Sequence, residues 1–304
     1  MFQKFQQIND TIAQYLNSNE PFSLVRIDNS VGYAMHCFSK GLVPSQQFIN
    51  PTCLGIEGGI VPSTLEYAFS VVYPKTHKIM KECDILGFVD VSGEIAKDKS
   101  FLETFESPNK TIFTDFGILD PGAILGLSDL GTLESDPWTK FLKGKRVLVL
   151  SSHANTIKHQ WKKIDLIWGK NRDIIAPFEL VDAISTPYHP AIDDRQYVNC
   201  NNFEDLVEIT KRRIDSYNYD VLLSGVTNQS PFYVEHVKSK GKVGIQTGGT
   251  IQLFFGILGG RWMGGGYSNW KTMFNDNWIH PLDIDKPQKN RDQFKFLESA
   301  TAYW

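Results

Sequence analysis

The sequence predicts an α/β protein with a Rossmann-like, mainly parallel sheet and helices on both of its faces. Predicted strands and helices alternate along the second half of the chain, and these strands are continuously apolar, as in a sheet covered on both sides. The clearest junction is KRVLVLSSH (Lys145–His153), where an aliphatic run stops at small polar residues and a histidine, and helical periodicity follows over Thr156–Trp168. We expect one domain of two wound halves, roughly 1–140 and 141–304, that share a cleft.

The first half begins with a helix from Phe2 to about Leu16, because apolar residues recur there every three to four positions. FSLVRI (Phe22–Ile27) is typical of a buried strand, and Asp28 to Ser30 can cap a helix that ends near Phe38. The remaining predicted elements are a turn at Glu57–Pro62, a helix over Thr64–Tyr73 capped by Ser63 and ended by Pro74, a strand over Asp84–Val91, a helix over Lys97–Phe105 and a strand over Thr111–Phe113.

The second half follows a loop-rich stretch with several Gly residues and shows a more regular alternation. Strands are predicted by runs of aliphatic residues, and helices by an apolar residue at every third or fourth position. The predicted strands are Arg146–Leu150, Ile174–Ile175, Leu180–Ile184, Asp220–Val226 and Lys242–Thr247, and the predicted helices are Thr156–Trp168, Phe203–Tyr217, Pro231–Ser239 and one opened by Gly248–Thr250.

Composition excludes several classes of protein. The chain has 304 residues, a net charge of −3 and no long basic run, so a nucleic acid is not an expected partner. The four cysteines show neither a C-x-x-C pair nor a zinc-ligand spacing, and we interpret them as reduced core thiols. The N-terminus lacks a signal-peptide pattern, and no apolar run approaches the about 18 residues that span a bilayer. We expect a cytoplasmic protein, free or peripheral at the inner membrane face.

Motifs of three common enzyme classes are absent from the sequence. It has no G-x-S-x-G of a hydrolase elbow and no G-x-x-x-x-G-K-[ST] phosphate loop. The first predicted strand is not followed by G-x-G-x-x-G, which disfavours a dinucleotide oxidoreductase.

Two junctions between a strand and a helix are candidate ligand sites, because helix N–H groups and strand ends meet there. Ser152, His153 and Thr156 follow the strand at 146–150, and His153 can donate to a phosphate or act as a base. The alternative is a half-buried histidine that the backbone satisfies. The second junction carries glycines that allow close approach of a ligand, then polar, basic and aromatic residues. Its candidates are Gly248, Gly249, Thr250, Gln252, Arg261 and Trp262.

The end of the first predicted strand carries a third group of candidates. Arg26 lies within an apolar strand and needs a partner, which is either a ligand phosphate or a carboxylate of the chain. Asp28 can hold a cation or act as a base, but a helix N-cap requires the same residue type. Asn29 beside it is a candidate ligand residue with the same alternative. Glu57 is a candidate base or ribose ligand, or a solvated turn carboxylate.

Several segments together resemble GT-D-type glycosyltransferase-like proteins of bacterial capsule and surface-polysaccharide loci. The resemblance spans most of the chain and is most specific in the glycine-aromatic block Gly248–Trp262. The matching segments are FSLVRIDNSVG (Phe22–Gly32), EGGIVP (Glu57–Pro62, with Gly59), KGKRVLVLSSHANTIKHQ (Lys143–Gln160), YDVLLSGV (Tyr219–Val226), GKVGIQTGGTIQLFFGILGGRW (Gly241–Trp262) and the terminal Asn277–Trp304.

The resemblance implies a glycosyltransferase that takes a sugar from a nucleoside diphosphate donor, most commonly UDP, to a surface-glycan or lipid-linked acceptor. It also implies a divalent cation (Mn²⁺ or Mg²⁺) with Asp28 as its ligand, and a homodimer is one expected assembly. The related proteins carry Asp-x-Glu at this point, whereas Asp28 is followed here by Asn29 and Ser30. The incomplete motif leaves open a catalytically inactive nucleotide- or glycan-binding subunit of a polysaccharide assembly complex. A separate alternative is another transferase, such as an acyl or pyruvyl transferase.

Overall fold

The computed structural model describes residues 2–42, 60, 62, 64–89, 93–113, 137–175, 177–186, 200–226, 228–263, 271 and 273–286. This part of the chain contains seven strands, namely β1 (Phe22–Ile27), β2 (Ile85–Phe88), β3 (Thr111–Phe113), β4 (Arg146–Leu150), β5 (Glu179–Ile184), β6 (Val221–Ser224) and β7 (Val243–Gln246). They form one sheet in the order β3-β2-β1-β7-β6-β4-β5, and every neighbouring pair is parallel. The predicted Rossmann-like α/β architecture is confirmed, and strands of both halves join where β1 pairs with β7.

The helices of the described residues are α1 (Phe2–Ser18), α2 (Asn29–Ser39), α3 (Leu65–Tyr67), α4 (Tyr73–Glu82), α5 (Glu94–Lys97), α6 (Lys99–Glu103), α7 (Ala154–Trp161), α8 (Ile164–Trp168), α9 (Phe203–Asp215), α10 (Ser230–Ser239), α11 (Ile251–Phe254) and α12 (Gly260–Met263). A π-helical turn over Ala68–Val72 joins α3 to α4, and 3-10 turns cover Trp138–Leu142, Gly169–Ile174, Gly248–Thr250 and Asp283–Asp285. No helix in these described ranges is long and apolar enough to cross a membrane.

The sheet separates two apolar clusters, because successive side chains of a strand point to opposite faces. In β1, Leu24 belongs to the cluster that α1, α7 and α11 cover, which we call the front face. Val25 and Ile27 belong to the cluster under α2, α4, α9 and α10, the back face. By this alternation Arg26 lies on the same side of its strand as Leu24, on the front face.

The order of the strands creates a crevice at the carboxyl edge of the sheet. From β4 the chain passes through α7 on the front face to β5, whereas from β6 it passes through α10 on the back face to β7. Connections that leave adjacent strands in opposite directions open a gap between them, and ligands of such folds bind there. By this topology the gap lies between the carboxyl ends of β4 and β6.

Most predicted elements are observed, and the differences have local causes. Pro74 does not end the predicted helix over Thr64–Tyr73, because it lies in the first turn of α4, where a missing N–H costs little, just after the π-helical turn. The cap of this helix is Thr64, whose side chain accepts from the N–H of Tyr67, and Ser63 lies outside the described residues. The predicted strand at Ile174–Ile175 is wrong, since Ile174 ends a 3-10 turn.

Two predicted helices are divided in the structure. The helix predicted over Lys97–Phe105 becomes α5 and α6, because the Asp98 side chain accepts from the N–H of Phe101 and caps a new helix. The helix predicted over Thr156–Trp168 begins two residues earlier, at Ala154, and is divided into α7 and α8.

Candidate functional site

The structure brings four of the predicted strand ends to one edge of the sheet. Asp28 follows β1, Gly248 follows β7, Gly225 follows β6, and His153 follows β4, and these strands are consecutive neighbours. Strands lie about 4.8 Å apart, so the row from Asp28 to His153 spans roughly 14 Å. Residues that are distant in sequence therefore form one row of candidates along the crevice.

Arg26 and Gly248 are in direct contact at the centre of this row. A Cβ added to Gly248 would lie 2.9 Å from Nη1 of Arg26, so the guanidinium occupies space that only a glycine leaves open. Gly248 also has a φ of +55°, which favours glycine. The backbone N–H of Arg26 donates to Oε1 of Gln246 at 3.0 Å, which holds the end of β1 against β7. The arrangement presents a half-buried guanidinium, the group best suited to bind a phosphate through paired hydrogen bonds.

Gly225 is a further member of the row that the sequence analysis did not select as a site residue. A Cβ at Gly225 would lie 2.4 Å from Cγ2 of Ile251 and 3.1 Å from the carbonyl oxygen of Gly248. The end of β6 and the turn after β7 therefore pack backbone to backbone. The signal in the sequence was the Ser-Gly pair that follows the apolar run of β6.

Three predicted site residues form a buried chain of hydrogen bonds. The indole Nε1 of Trp262 donates to Oε1 of Gln252 at 3.1 Å, and Nε2 of Gln252 lies 3.2 Å from Nε2 of His153. The exposed fractions of the three residues are 2% for His153, 1% for Gln252 and 1% for Trp262. His153 is thus joined to the second junction, and Trp262 supports the site from behind rather than offering an open stacking surface.

A carboxylate of the chain itself occupies the start of α7, and the sequence analysis did not identify it. The Asp285 carboxylate, with no exposed surface, accepts from the backbone N–H groups of Asn155 and Thr156 at 3.2 and 2.6 Å. It also accepts from Nδ2 of Asn155 at 2.8 Å and from Oγ1 of Thr156 at 2.6 Å. Thr156 was predicted to bind the ligand, but its donors are engaged by Asp285. A phosphate at this helix terminus would have to displace a buried carboxylate.

Asp28 serves as the N-cap of α2. One of its carboxylate oxygens accepts from the N–H of Val31 at 3.0 Å. The described residues contain no group of three or more His, Cys, Asp or Glu side chains placed to hold a metal ion. One carboxylate that already caps a helix is a poor match for a divalent cation, which prefers several oxygen ligands. The described residues around Asp28 therefore do not fit a metal site.

The other predicted site residues have varied positions. Ser152 is buried beside His153, and Gly249 and Thr250 lie in the 3-10 turn after β7, where Thr250 is buried. The backbone of Asn29 belongs to α2 and that of Arg261 to α12, whereas their side chains lie outside the described part. Glu57 and Gly59 also lie outside the described residues.

The chain was compared with models of protein families, with curated proteins and with solved structures. None of the three comparisons found a match to it.

Proposed function

We propose that the chain is a glycosyltransferase that binds a nucleoside diphosphate sugar, with UDP as the first candidate nucleotide, at the carboxyl edge around Arg26 and Gly248. The observation that carries the proposal is the guanidinium of Arg26 seated against a glycine of positive φ, at the carboxyl edge of a parallel sheet. Ligands of such folds bind at this edge. The transferase class and its surface-glycan or lipid-linked acceptor rest on the sequence resemblance given above.

Charge supports a diphosphate as the group that binds here. A guanidinium is charged at all ordinary pH values and can form two parallel bonds to phosphate oxygens. In glycosyl transfer, negative charge develops on the departing diphosphate, and Arg26 would stabilise that charge at a fixed position without reorganisation. Gly248 has no side chain, and the Arg26 guanidinium occupies the space that this leaves, so the glycine fixes where the positive charge lies.

The remaining residues of the row would bind and orient the donor. The buried bond from His153 to Gln252 holds the junction after β4 beside the junction after β7. Gly225 allows the end of β6 to pack against Gly248, which contacts Arg26. Each of these residues maintains the geometry of the crevice, which is the condition for placing a donor sugar next to an acceptor hydroxyl.

Isothermal titration of the full chain with UDP, other nucleoside diphosphates and their sugar conjugates tests the proposal, with and without Mn²⁺. We expect saturable heat with at least one nucleoside diphosphate. Replacement Arg26→Gln should weaken that binding by about tenfold or more, because a hydrogen bond to a charged group is worth about 1.5–3 kcal/mol. The matched control is Arg212→Gln, which removes the same charge from an exposed position on α9. Absence of heat with every nucleotide, or equal weakening by both variants, contradicts the proposal.

A second candidate, a nucleotide-binding subunit without catalysis, is favoured by the role of Asp28 as a helix cap. The two candidates differ in turnover. The transferase releases UDP slowly from its donor sugar even without an acceptor, because water can replace the acceptor hydroxyl. The binding subunit retains affinity for the nucleotide but releases none, which coupled detection of free UDP distinguishes.

A further inference from the structure

We infer that Trp262 and Gln252 hold His153 as the neutral tautomer whose proton is on Nδ1, so that His153 is not the base of the reaction. An indole N–H can only donate, so the bond of 3.1 Å from Trp262 assigns its partner atom on Gln252 as the carbonyl oxygen Oε1. The NH₂ group of the same amide then faces His153.

The second bond determines which ring nitrogen of His153 carries the proton. An amide nitrogen is a donor and offers no lone pair, and it lies 3.2 Å from Nε2 of the imidazole. For this contact to be a hydrogen bond, Nε2 must be the unprotonated acceptor. A neutral imidazole has one proton, which is then on Nδ1.

A proton on Nε2 would break one of the two links of this buried chain, whichever way the Gln252 amide is turned. A proton on Nε2 would face the two hydrogens of the Gln252 amide. Rotation of that amide would relieve this clash but would turn its NH₂ group towards the indole N–H of Trp262. All three side chains are at most 2% exposed, so water does not compensate for an unmade bond. Trp262, 109 positions after His153 in sequence, thus sets the tautomer through one intervening residue.

The consequence for catalysis rests on the proposed function. A base must accept a proton, but Nε2 is engaged by Gln252 and Nδ1 already carries a proton. His153 would therefore orient the junction after β4, and Gln252 and Trp262 are its positioning residues. The base that activates the acceptor hydroxyl would be another group.

Long-range ¹H–¹⁵N correlation spectra of the imidazole rings in the ¹⁵N-labelled full chain test this inference directly. Of the seven histidines, we expect one with a pyridine-type Nε2 and a protonated Nδ1, and its signals should be lost in His153→Gln. In Gln252→Glu, a carboxylate faces His153, so the proton should move to Nε2 or a second proton should bind. The exposed His159 in α7 is the internal control and should be unchanged.

The outcomes separate this inference from the proposed function. A wild-type spectrum in which none of the histidines has the proton on Nδ1 overturns the tautomer assignment. This measurement does not depend on the folding of any variant. A His153 signal that Gln252→Glu leaves in place also overturns it. Because the spectra are recorded without ligand, failure of nucleotide binding would refute the proposed function and leave the tautomer assignment standing.

Discussion

The carboxylate of Asp285 accepts two hydrogen bonds from Thr156, one from its backbone N–H and one from its hydroxyl, each 2.6 Å long. The two residues are 129 positions apart and neither has exposed surface. The backbone N–H of Leu282 in turn donates to Oγ1 of Thr156 at 3.0 Å. These bonds fasten the C-terminal part of the described chain to the start of α7, next to His153.

Replacement Asp285→Ala should lower the free energy of unfolding by about 2–5 kcal/mol, because it leaves buried donors of α7 without an acceptor. Urea denaturation measures this change. The control is Asp283→Ala, two residues earlier, where the side chain is 87% exposed and the expected change is within about 0.5 kcal/mol. Equal effects of the two variants would show that Asp285 does not anchor the helix.

Replacement Gly248→Ala should reduce nucleotide binding, because the new Cβ would lie 2.9 Å from Nη1 of Arg26 and displace the guanidinium. The matched control is Gly241→Ala. Gly241 has a similar φ of +78°, but nothing lies within 4 Å of its added Cβ. Both variants should be destabilised by about 1–2 kcal/mol through backbone strain, and only Gly248→Ala should lose affinity in calorimetric titration. Equal affinity of the two variants for the nucleotide would contradict the role of the Arg26 contact.

Two replacements of Asp28 separate its structural role from a chemical one. Asparagine caps helices as well as aspartate does, so Asp28→Asn should leave the free energy of unfolding nearly unchanged. Asp28→Ala removes the bond to the N–H of Val31 and should cost about 1 kcal/mol. If release of UDP from its donor sugar requires the Asp28 carboxylate, both variants should lose this activity. Turnover that survives in Asp28→Asn and is reduced in Asp28→Ala only in proportion to stability would assign Asp28 to capping alone.

Replacement Gly244→Ala should destabilise the fold without involving the site. Its Cβ would lie 2.7 Å from both the Cα and the carbonyl oxygen of Val234, because α10 packs its backbone directly on β7. Relief requires a shift of the whole helix, and we expect a loss of about 1–3 kcal/mol in urea denaturation. Adding Val234→Ala should not restore stability, since the two closest atoms belong to the backbone. Full recovery in the double variant would refute this packing.

The ion pair between Arg146 and Asp220 predicts that part of the stability of the fold is lost at acidic pH. Bonds from the Arg146 side chain lower the pKa of Asp220, and the guanidinium contacts both carboxylate oxygens, at 2.6 and 3.2 Å. A lowered folded-state pKa stabilises the protein above the unfolded value of about 3.9, and this contribution is lost as the pH falls through the folded value. Asp220→Asn should therefore be less stable than the parent chain near neutrality, and the difference should shrink below about pH 4.

Urea denaturation at several pH values measures this difference, and Arg146→Met supplies the control. Without the guanidinium, the pKa of Asp220 should return towards its ordinary value. Asp220→Asn should then have little pH-dependent effect in the Arg146→Met background. An unchanged pH dependence in that background would assign the shift to another group.

The elements of the fold follow from local information. The strands at 22–27 and 146–150 have the bounds that the apolar runs predict, because burial on both faces requires mostly apolar residues. The inward positions of α9, including Phe203, Leu206 and Ile214, are buried as the periodicity predicts. The prediction that Pro74 ends a helix was wrong. Proline ends a helix only where its backbone nitrogen would have to donate a hydrogen bond, and Pro74 lies in the first turn of α4.

The sequence by itself determined the class of fold, most of the strands and helices, and the polar junctions at which a site was expected. Only the tertiary structure showed that a carboxylate of the chain itself, Asp285, occupies the start of α7. The contact of Arg26 with Gly248, the chain from His153 to Trp262, and the burial of Asp285 at the start of α7 all join distant segments. Such pairs depend on the order of strands in the sheet, and the periodicity that predicts each element carries no information about its neighbours in space.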